Sequence, residues 1–137
     1  MLRFDRAIVE DLPQLAALLW NNGMKYEDPV EDYMLAWQDE EIAGCVRIEA
    51  YPDVAVVRPL VVAEPYRNRG IGRYLLQLVL PVGKPTVIAA RGESVGFYRA
   101  LGFTETEWQA IPIHQTNECI SCPEREECRP QPMIHRS

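Results

Sequence analysis

A mixed α/β domain built on one central sheet is the fold class this sequence predicts. Three observations predict it. Apolar residues recur at helical spacing in separate short segments. Elsewhere they alternate with period two or run unbroken through valine-rich stretches. Glycine, proline and Asn-Gly signals cut the chain between these segments. Read in order, the elements run β, α, (α), β, β, β, α, β, α, β, and with 137 residues, 47% of them hydrophobic, they fit one core.

A short strand near residues 2–6 opens the chain. Leu12, Leu15, Ala16 and Leu19 then repeat as one face of a helix, with Asp11 at the N-cap position, Pro13 tolerated in the first turn and Asn21-Asn22-Gly23 as a stop. A short second helix is expected before Tyr33. Met34 to Trp37, the acidic turn Asp39-Glu40-Glu41 and the segment from Ile42 to Ala50 read as an antiparallel hairpin, because Val46, Ile48 and Ala50 alternate with Cys45, Arg47 and Glu49. Val54 to Val62 is apolar on both faces except at Arg58, as in a central strand, and Pro59 removes one ladder donor there, which suggests a bulge or a parting of two strands. A polar loop from Ala63 to Arg69 leads into a helix over 70–80 that Pro81 closes. A strand over 85–90, a helix over 94–101 stopped by Gly102 and a strand over 103–108 follow.

Charge and length exclude several classes of protein. The net charge of -6 and a pI of about 4.9 argue against a general nucleic-acid binder, which needs a basic face. The longest apolar runs, such as Leu78 to Val82, fall far short of the roughly 20 residues of a membrane-spanning helix. The first residues lack the basic start and apolar segment of a secretory signal, so a cytoplasmic location is expected. Charge is also uneven along the chain. Residues 27–41 carry seven acids, the usual mark of a solvated surface, whereas residues 67–73 carry three arginines and no acid.

Those arginines lie among glycines where a buried strand passes through a polar loop into a helix. Unpaired N–H groups at the helix start and the positive end of its dipole make a site for phosphate. Gly70 and Gly72 let a diphosphate approach the backbone, and Arg67, Asn68, Arg69 and Arg73 add charge or hydrogen bonds around it. The segment matches neither Gly-x-x-x-x-Gly-Lys-Ser/Thr nor Gly-x-Gly-x-x-Gly, which counts against an NTPase and a dinucleotide dehydrogenase.

Arg67-Asn68-Arg69-Gly70-Ile71-Gly72 resembles the Arg/Gln-x-x-Gly-x-Gly/Ala loop of the GCN5-related N-acetyltransferases, the GNAT family. A second ordered segment, Phe97-Tyr98-Arg99-Ala100-Leu101-Gly102-Phe103, is similar to that family's Phe-Tyr-x-x-Leu-Gly-Phe, and Arg6-Ala7 before the first helix also fits. The resemblance covers residues 1 to about 110. It implies a mostly antiparallel sheet with a splayed parallel pair in the middle and helices on both faces. It further implies acetyl-CoA as co-substrate, bound by Leu60, Val61, Val62 and the segment Arg67, Asn68, Arg69, Gly70, Ile71, Gly72 and Arg73. In the family the Val62 N–H would polarise the thioester carbonyl, Tyr98 would protonate the departing thiolate, and an amine would attack directly in a ternary complex. Dimers are common in the family, so a homodimer is one implied assembly.

Several positions leave alternatives open. The family's glutamate on the long strand is replaced by Val56, and Glu49 on the neighbouring strand stands either as a base acting through water or as a surface carboxylate. Arg58 either binds an acceptor's carboxylate or pairs with Glu49 or Asp53. Asn-x-x-Ala, often found before Phe-Tyr, is replaced by Arg91-Gly92-Glu93-Ser94, and Cys45 reads as a small buried residue. The run from Val57 to Val62 and the tail are similar to the short N-acetylglutamate synthase-like and arsenic-resistance branches, which implies a small-molecule amine, an amino acid or analogue, as acceptor.

Residues 1–111 are expected as the transferase core and 112–137 as a Cys- and Pro-rich segment that leans on the sheet, binds a metal or stays mobile. Cys119, Cys122 and Cys128, with His114 and His135 nearby, have spacings that suit zinc or an iron-sulfur centre; reduced thiols or a disulfide are the alternatives. If residues 131–136 supply the final strand, this segment lies between the last two strands. Three function classes follow: an acetyl-CoA-dependent N-acetyltransferase, a non-catalytic acyl-CoA-binding sensor, and a metal-dependent interaction module.

Overall fold

The acidic turn folds the chain back on itself, with Asp39 in the left-handed region at φ 55°. On either side of it, β2 (Tyr33–Gln38) and β3 (Glu41–Ala50) pair antiparallel, and β1 (Leu2–Arg6) adds to β2 from Leu2↔Gln38 to Arg6↔Met34. The computed structural model describes residues 1–136. By their contacts these form two units: Met1–Glu49 with Val57–Leu80, and Ala50–Val56 with the chain from Pro81 onward. With β4 (Ala55–Val62), β5 (Thr86–Ala90), β6 (Thr104–Glu105) and β7 (Gln131–His135), the strands hydrogen-bond in the order β1-β2-β3-β4-β5-β7-β6. The pair β4–β5 is parallel, at Ala55↔Thr86 and Val56↔Val87, within a sheet that is otherwise mostly antiparallel.

In the first unit β3 is covered on both faces, and Ile42 to Arg47 are all buried. Cys45 packs in one cluster with Tyr33 and Leu35 of β2 and with Leu15 and Leu19 of α1 (Leu12–Asn21). Gly44 faces the other way, toward Ile71 and Leu75 of α2 (Ile71–Val79). A Cβ on Gly44 would sit 2.9 Å from the Val61 carbonyl oxygen, so the missing side chain is what lets β3 and β4 lie this close. The helix signals act as expected, with one change. Asp11 stands at the N-cap of α1 but its carboxylate accepts the Ile8 N–H at 3.0 Å instead of capping the helix. The expected short second helix is a single 3-10 turn, Val30–Asp32.

In the second unit β7 lies between β5 and β6, pairing with all of β5 from Thr86↔His135 to Ala90↔Gln131. α3 (Val95–Ala100) ends as expected, with Gly102 at φ 97°. The strand expected over 103–108 is shortened to Thr104–Glu105. Phe103 is buried against the rings of Tyr98 and His135, while Trp108 opens a 3-10 turn and carries the Arg125 guanidinium over its ring at 5.5 Å. Side-chain packing at both ends thus takes residues out of the ladder.

The tail after Ile111 forms two helices that periodicity did not predict, α4 (Ile113–Ser121) and α5 (Arg125–Cys128), before β7. The described residues give the metal-site expectation no support. Among the described residues no three His, Cys, Asp or Glu side chains gather in a way that could hold an ion. Cys119 lies on α4, Cys122 caps it with an N–H bond to the Cys119 carbonyl at 3.3 Å, and Cys128 ends α5. His114 meets the Tyr51 hydroxyl at 3.1 Å and His135 lies against Phe103. The pairing of β7 with β5 and β6 holds the end of this polar segment.

Gly44→Ala is expected to cost about 1–3 kcal/mol in a chemical denaturation experiment, because the new methyl group meets a backbone oxygen that cannot rotate away. An unchanged midpoint would mean that β3 and β4 part readily there. Burial pushes the Cys45 thiol up to about 12, so at pH 8 iodoacetamide should leave it unmodified until the protein is unfolded. Exposed Cys122 should react in the native state at a rate that a zinc chelator does not change; acceleration by the chelator would restore the metal reading.

Candidate active site

The first unit carries the turn that the sequence marks for an anion. β4 ends at Val62, and the next residue is fixed to β3 by the Ala63 N–H, which donates to the Ala43 carbonyl at 2.8 Å. A 3-10 turn over Glu64–Tyr66 follows. Arg67 then reaches back: its Nε donates to the Val62 carbonyl at 2.9 Å and its terminal nitrogen to Asn22 Oδ1, also at 2.9 Å. This arginine therefore ties the end of β4 to the end of α1, and its observed role is to set the turn. The Tyr66 hydroxyl donates to Glu41, and the Arg69 guanidinium lies 5.7 Å from the centre of the Tyr66 ring.

Two residues of the turn adopt left-handed backbone angles, Asn68 at φ 65° and Gly70 at φ 82°. Gly70 is the N-cap of α2 and offers no side-chain cap. Tyr74 is the first residue whose N–H closes a helical bond, to the Gly70 carbonyl at 3.0 Å. Among the described residues, the N–H groups of Gly70, Ile71, Gly72 and Arg73 have no protein acceptor. A left-handed residue ahead of a helix start is the arrangement in which successive N–H groups converge on one anion. Asn68, Arg69, Gly70 and Arg73 are exposed, whereas Ile71 and Gly72 are buried and anchor the helix start. The Tyr74 ring, stacked on Phe4 at 4.5 Å, fixes the same turn of α2 to β1.

Leading into this turn, Val61 is buried in the core cluster, while Leu60 and Val62 are half-buried, as period two requires. Val56, in the place of the expected glutamate, packs among Val87, Ile111 and Ile134, so the position is apolar throughout. Arg58 is half-buried, and its carbonyl oxygen accepts a bond from Arg47 at 3.3 Å. Glu49 is held by Arg47 at 2.8 Å.

Arg47 is the residue that the sequence reading passed over. Alternation along β3 labelled it as an ordinary polar member of a hairpin, yet it is only 7% exposed, and its Nε is buried with no hydrogen-bond partner. Burial opposes its charge, but Glu49, with Tyr33 and Glu27 beyond it, holds the guanidinium pKa above its ordinary value. The signal that could have found it is the strand order. A strand between two others has no solvated edge, and here β3 is covered on both faces as well.

In the second unit Tyr98 is buried, with Phe97 edge-on at 5.0 Å and Phe103 at 5.4 Å. Its carbonyl accepts the N–H groups of Leu101 and Phe103 at 3.0 and 3.1 Å, which closes the helix end and fixes the ring. Burial pushes its hydroxyl above the ordinary tyrosine value, so at neutral pH it carries its proton.

Comparison with known proteins agrees with this architecture. Residues 4–103 match the model of the Acetyltransferase (GNAT) family. An uncharacterized N-acetyltransferase of Chlorobaculum tepidum is 30% identical over 103 residues, 72% of this chain and 66% of that protein. The N-acetylglutamate synthase of Neisseria gonorrhoeae, solved with coenzyme A and N-acetyl-glutamate, superposes with a TM-score of 0.79 at 15% identity over 99% of this chain and 35% of its own. Naa50 of Arabidopsis thaliana, solved with the bisubstrate analogue CoA-Ac-MVNAL, gives a TM-score of 0.74 at 22% identity over 99% and 98% of the two chains. The chain thus spans just under two thirds of its curated relative and about a third of the synthase. With a family model covering strands β2 to β5, the glycine turn and the Phe-Tyr helix together, the chain belongs to the GNAT acetyltransferase family.

Proposed function

We propose that this chain is an acetyl-CoA-dependent N-acetyltransferase whose acceptor is the amine of a small molecule, an amino acid or a close analogue. The observation that carries the cofactor reading is the row of N–H groups from Gly70 to Arg73, left without protein acceptors behind a left-handed glycine. A diphosphate supplies the acceptors that these donors lack, with Arg69 and Arg73 adding charge. Arg67 contributes by holding the turn through Val62 and Asn22. Leu60, Val61 and Val62 are the strand on which the pantetheine arm is proposed to lie, again by family resemblance.

The chemistry balances without a covalent enzyme intermediate. An unprotonated amine nitrogen forms a bond to the thioester carbon, the carbon–sulfur bond breaks, the nitrogen gives its proton to solvent water, and the thiolate of coenzyme A takes one from a protein acid. Tyr98, protonated because it is buried, is assigned as the donor of that last proton by its match to the family's Phe-Tyr motif. The amino-acid class of acceptor is supported by two arginines, Arg47 and Arg58, on adjacent strands of the first unit's sheet. Val56, apolar where an acid was expected, supports the alternative of a non-catalytic acyl-CoA binder.

Titration calorimetry should show acetyl-CoA binding that Gly70→Ala weakens about tenfold, since a methyl group at this left-handed position costs about 1–2 kcal/mol and disturbs the donor row. Release of thiol from acetyl-CoA, screened over free amino acids, separates enzyme from sensor; binding without turnover of any amine would favour the sensor. Tyr98→Phe should lower kcat by about 100-fold or more with little change in cofactor affinity. Because the hydroxyl pKa is raised and the acid form is the active one, no alkaline loss of kcat due to Tyr98 should occur below pH of about 10, the ordinary tyrosine value. Equal kcat in the two proteins would remove Tyr98 from the mechanism.

A further inference from the structure

We infer that Arg47 and Glu49 together form the subsite for a zwitterionic acceptor, Arg47 taking the α-carboxylate of a free amino acid and Glu49 facing its ammonium group. The inference rests on the transferase reading above and names the substrate features that the site selects.

Position on β3 is the first argument. Residues 47 and 49 are two apart on one strand, so their side chains leave the same face, and Tyr33 of β2 stands directly across from Arg47. The Arg47 guanidinium extends to the Arg58 carbonyl on β4 at 3.3 Å, two residues before Leu60, where the strand assigned to the thioester begins. The pair therefore lies beside the proposed reacting strand within one unit.

Satisfaction of hydrogen bonds is the second. Burying a guanidinium is costly unless its donors are used, and Arg47 uses one terminal nitrogen for both Glu49 and the Arg58 carbonyl while its Nε is buried without any acceptor. A purely structural ion pair would be expected to fill that position. A carboxylate can instead accept from Nε and a terminal nitrogen together, the two-point geometry that arginine favours. The pair is not sealed, since 9% of the Arg47 side chain and 18% of the Glu49 side chain remain exposed.

Charge balance is the third. Without substrate the two side chains neutralise each other at 2.8 Å. A zwitterion brings one charge of each sign, so it can replace the internal pair with two ion pairs and leave the buried net charge unchanged. An ammonium alone meets Arg47 as a like charge, and a carboxylate alone meets Glu49 as one. Tyr33 and Glu27, which also act on the guanidinium, carry no positive charge.

The test compares the twenty free L-amino acids with their amides, which keep the amine and side chain but lose the carboxylate charge, using thiol release from acetyl-CoA by the intact protein. For the best amino acid, the amide is expected to lose about 100-fold or more in kcat/KM, mostly in KM, as for a desolvated charge pair. Arg47→Gln should lower kcat/KM for the acid far more than for its amide, mostly through KM. Arg47→Lys should recover part of the acid's rate. Equal rates for acid and amide in the unmodified protein overturn the inference even if Arg47→Gln fails to fold. So does a folded Arg47→Gln protein that slows acid and amide alike. Turnover of amines without preference for a carboxylate would sink this subsite and leave the transferase reading standing, whereas acetyl-CoA binding with no turnover of any amine would overturn both.

Discussion

Four backbone donors that the protein itself does not satisfy, at the start of α2, are the constraint around which the first unit is organised. Every helix start leaves such groups, and most proteins give them a capping side chain or water. Here the N-cap is a glycine at φ 82°, which has nothing to cap with, so the donors stay available while the backbone around them is fixed. The fixing comes from three directions. Ala63 is bonded to β3, Arg67 joins the end of β4 to Asn22 at the end of α1, and Tyr74 stacks on Phe4 of β1. An anion site made of main-chain dipoles gains from such rigidity because little reorganisation remains to be done when the ligand arrives.

The same unit shows how a close approach of strands shapes the chemistry beside it. Gly44 lets β3 lie against β4, with the Val61 carbonyl oxygen 2.9 Å from where a Cβ would sit, in a stretch buried from Ile42 to Arg47. Cys45, packed with Leu15 and Leu19 of α1, becomes an unreactive core residue, its thiol pushed up by burial to about 12. Arg47, two residues on, keeps its charge because Glu49 is beside it, at the cost of one unpaired Nε. Burial therefore has opposite results at two positions on one face of the same strand: it silences a thiol that has no partner and retains a guanidinium that has one.

Much of this was legible in local sequence. The Asn-Gly stop after α1, the acidic hairpin turn, the glycine start of α2 and the Gly102 stop after α3 are encoded by residues whose backbone preferences act within a few positions. What was not legible depends on contacts between residues far apart in sequence. The strand expected over 103–108 shrinks because Phe103 and Trp108 are drawn into ring packing with His135 and Arg125. The tail's cysteine spacing suggests a metal site, but spacing along a chain does not say whether thiols end up on the same side of a helix, and here they do not gather. Arg47 was missed for a related reason. A two-residue alternation gives the face of a strand, while burial of that face depends on what packs against it.

The central claim is that the main-chain donors at the start of α2 hold the diphosphate of coenzyme A. The most direct measurement is the amide proton resonances of Gly70, Ile71, Gly72 and Arg73, followed by NMR in the uniformly labelled protein as coenzyme A is added. The account predicts that these amides shift together, downfield, and become slower to exchange with solvent as the ligand saturates. Saturable binding that leaves these four amides unmoved would contradict it, because the cofactor would then be held elsewhere.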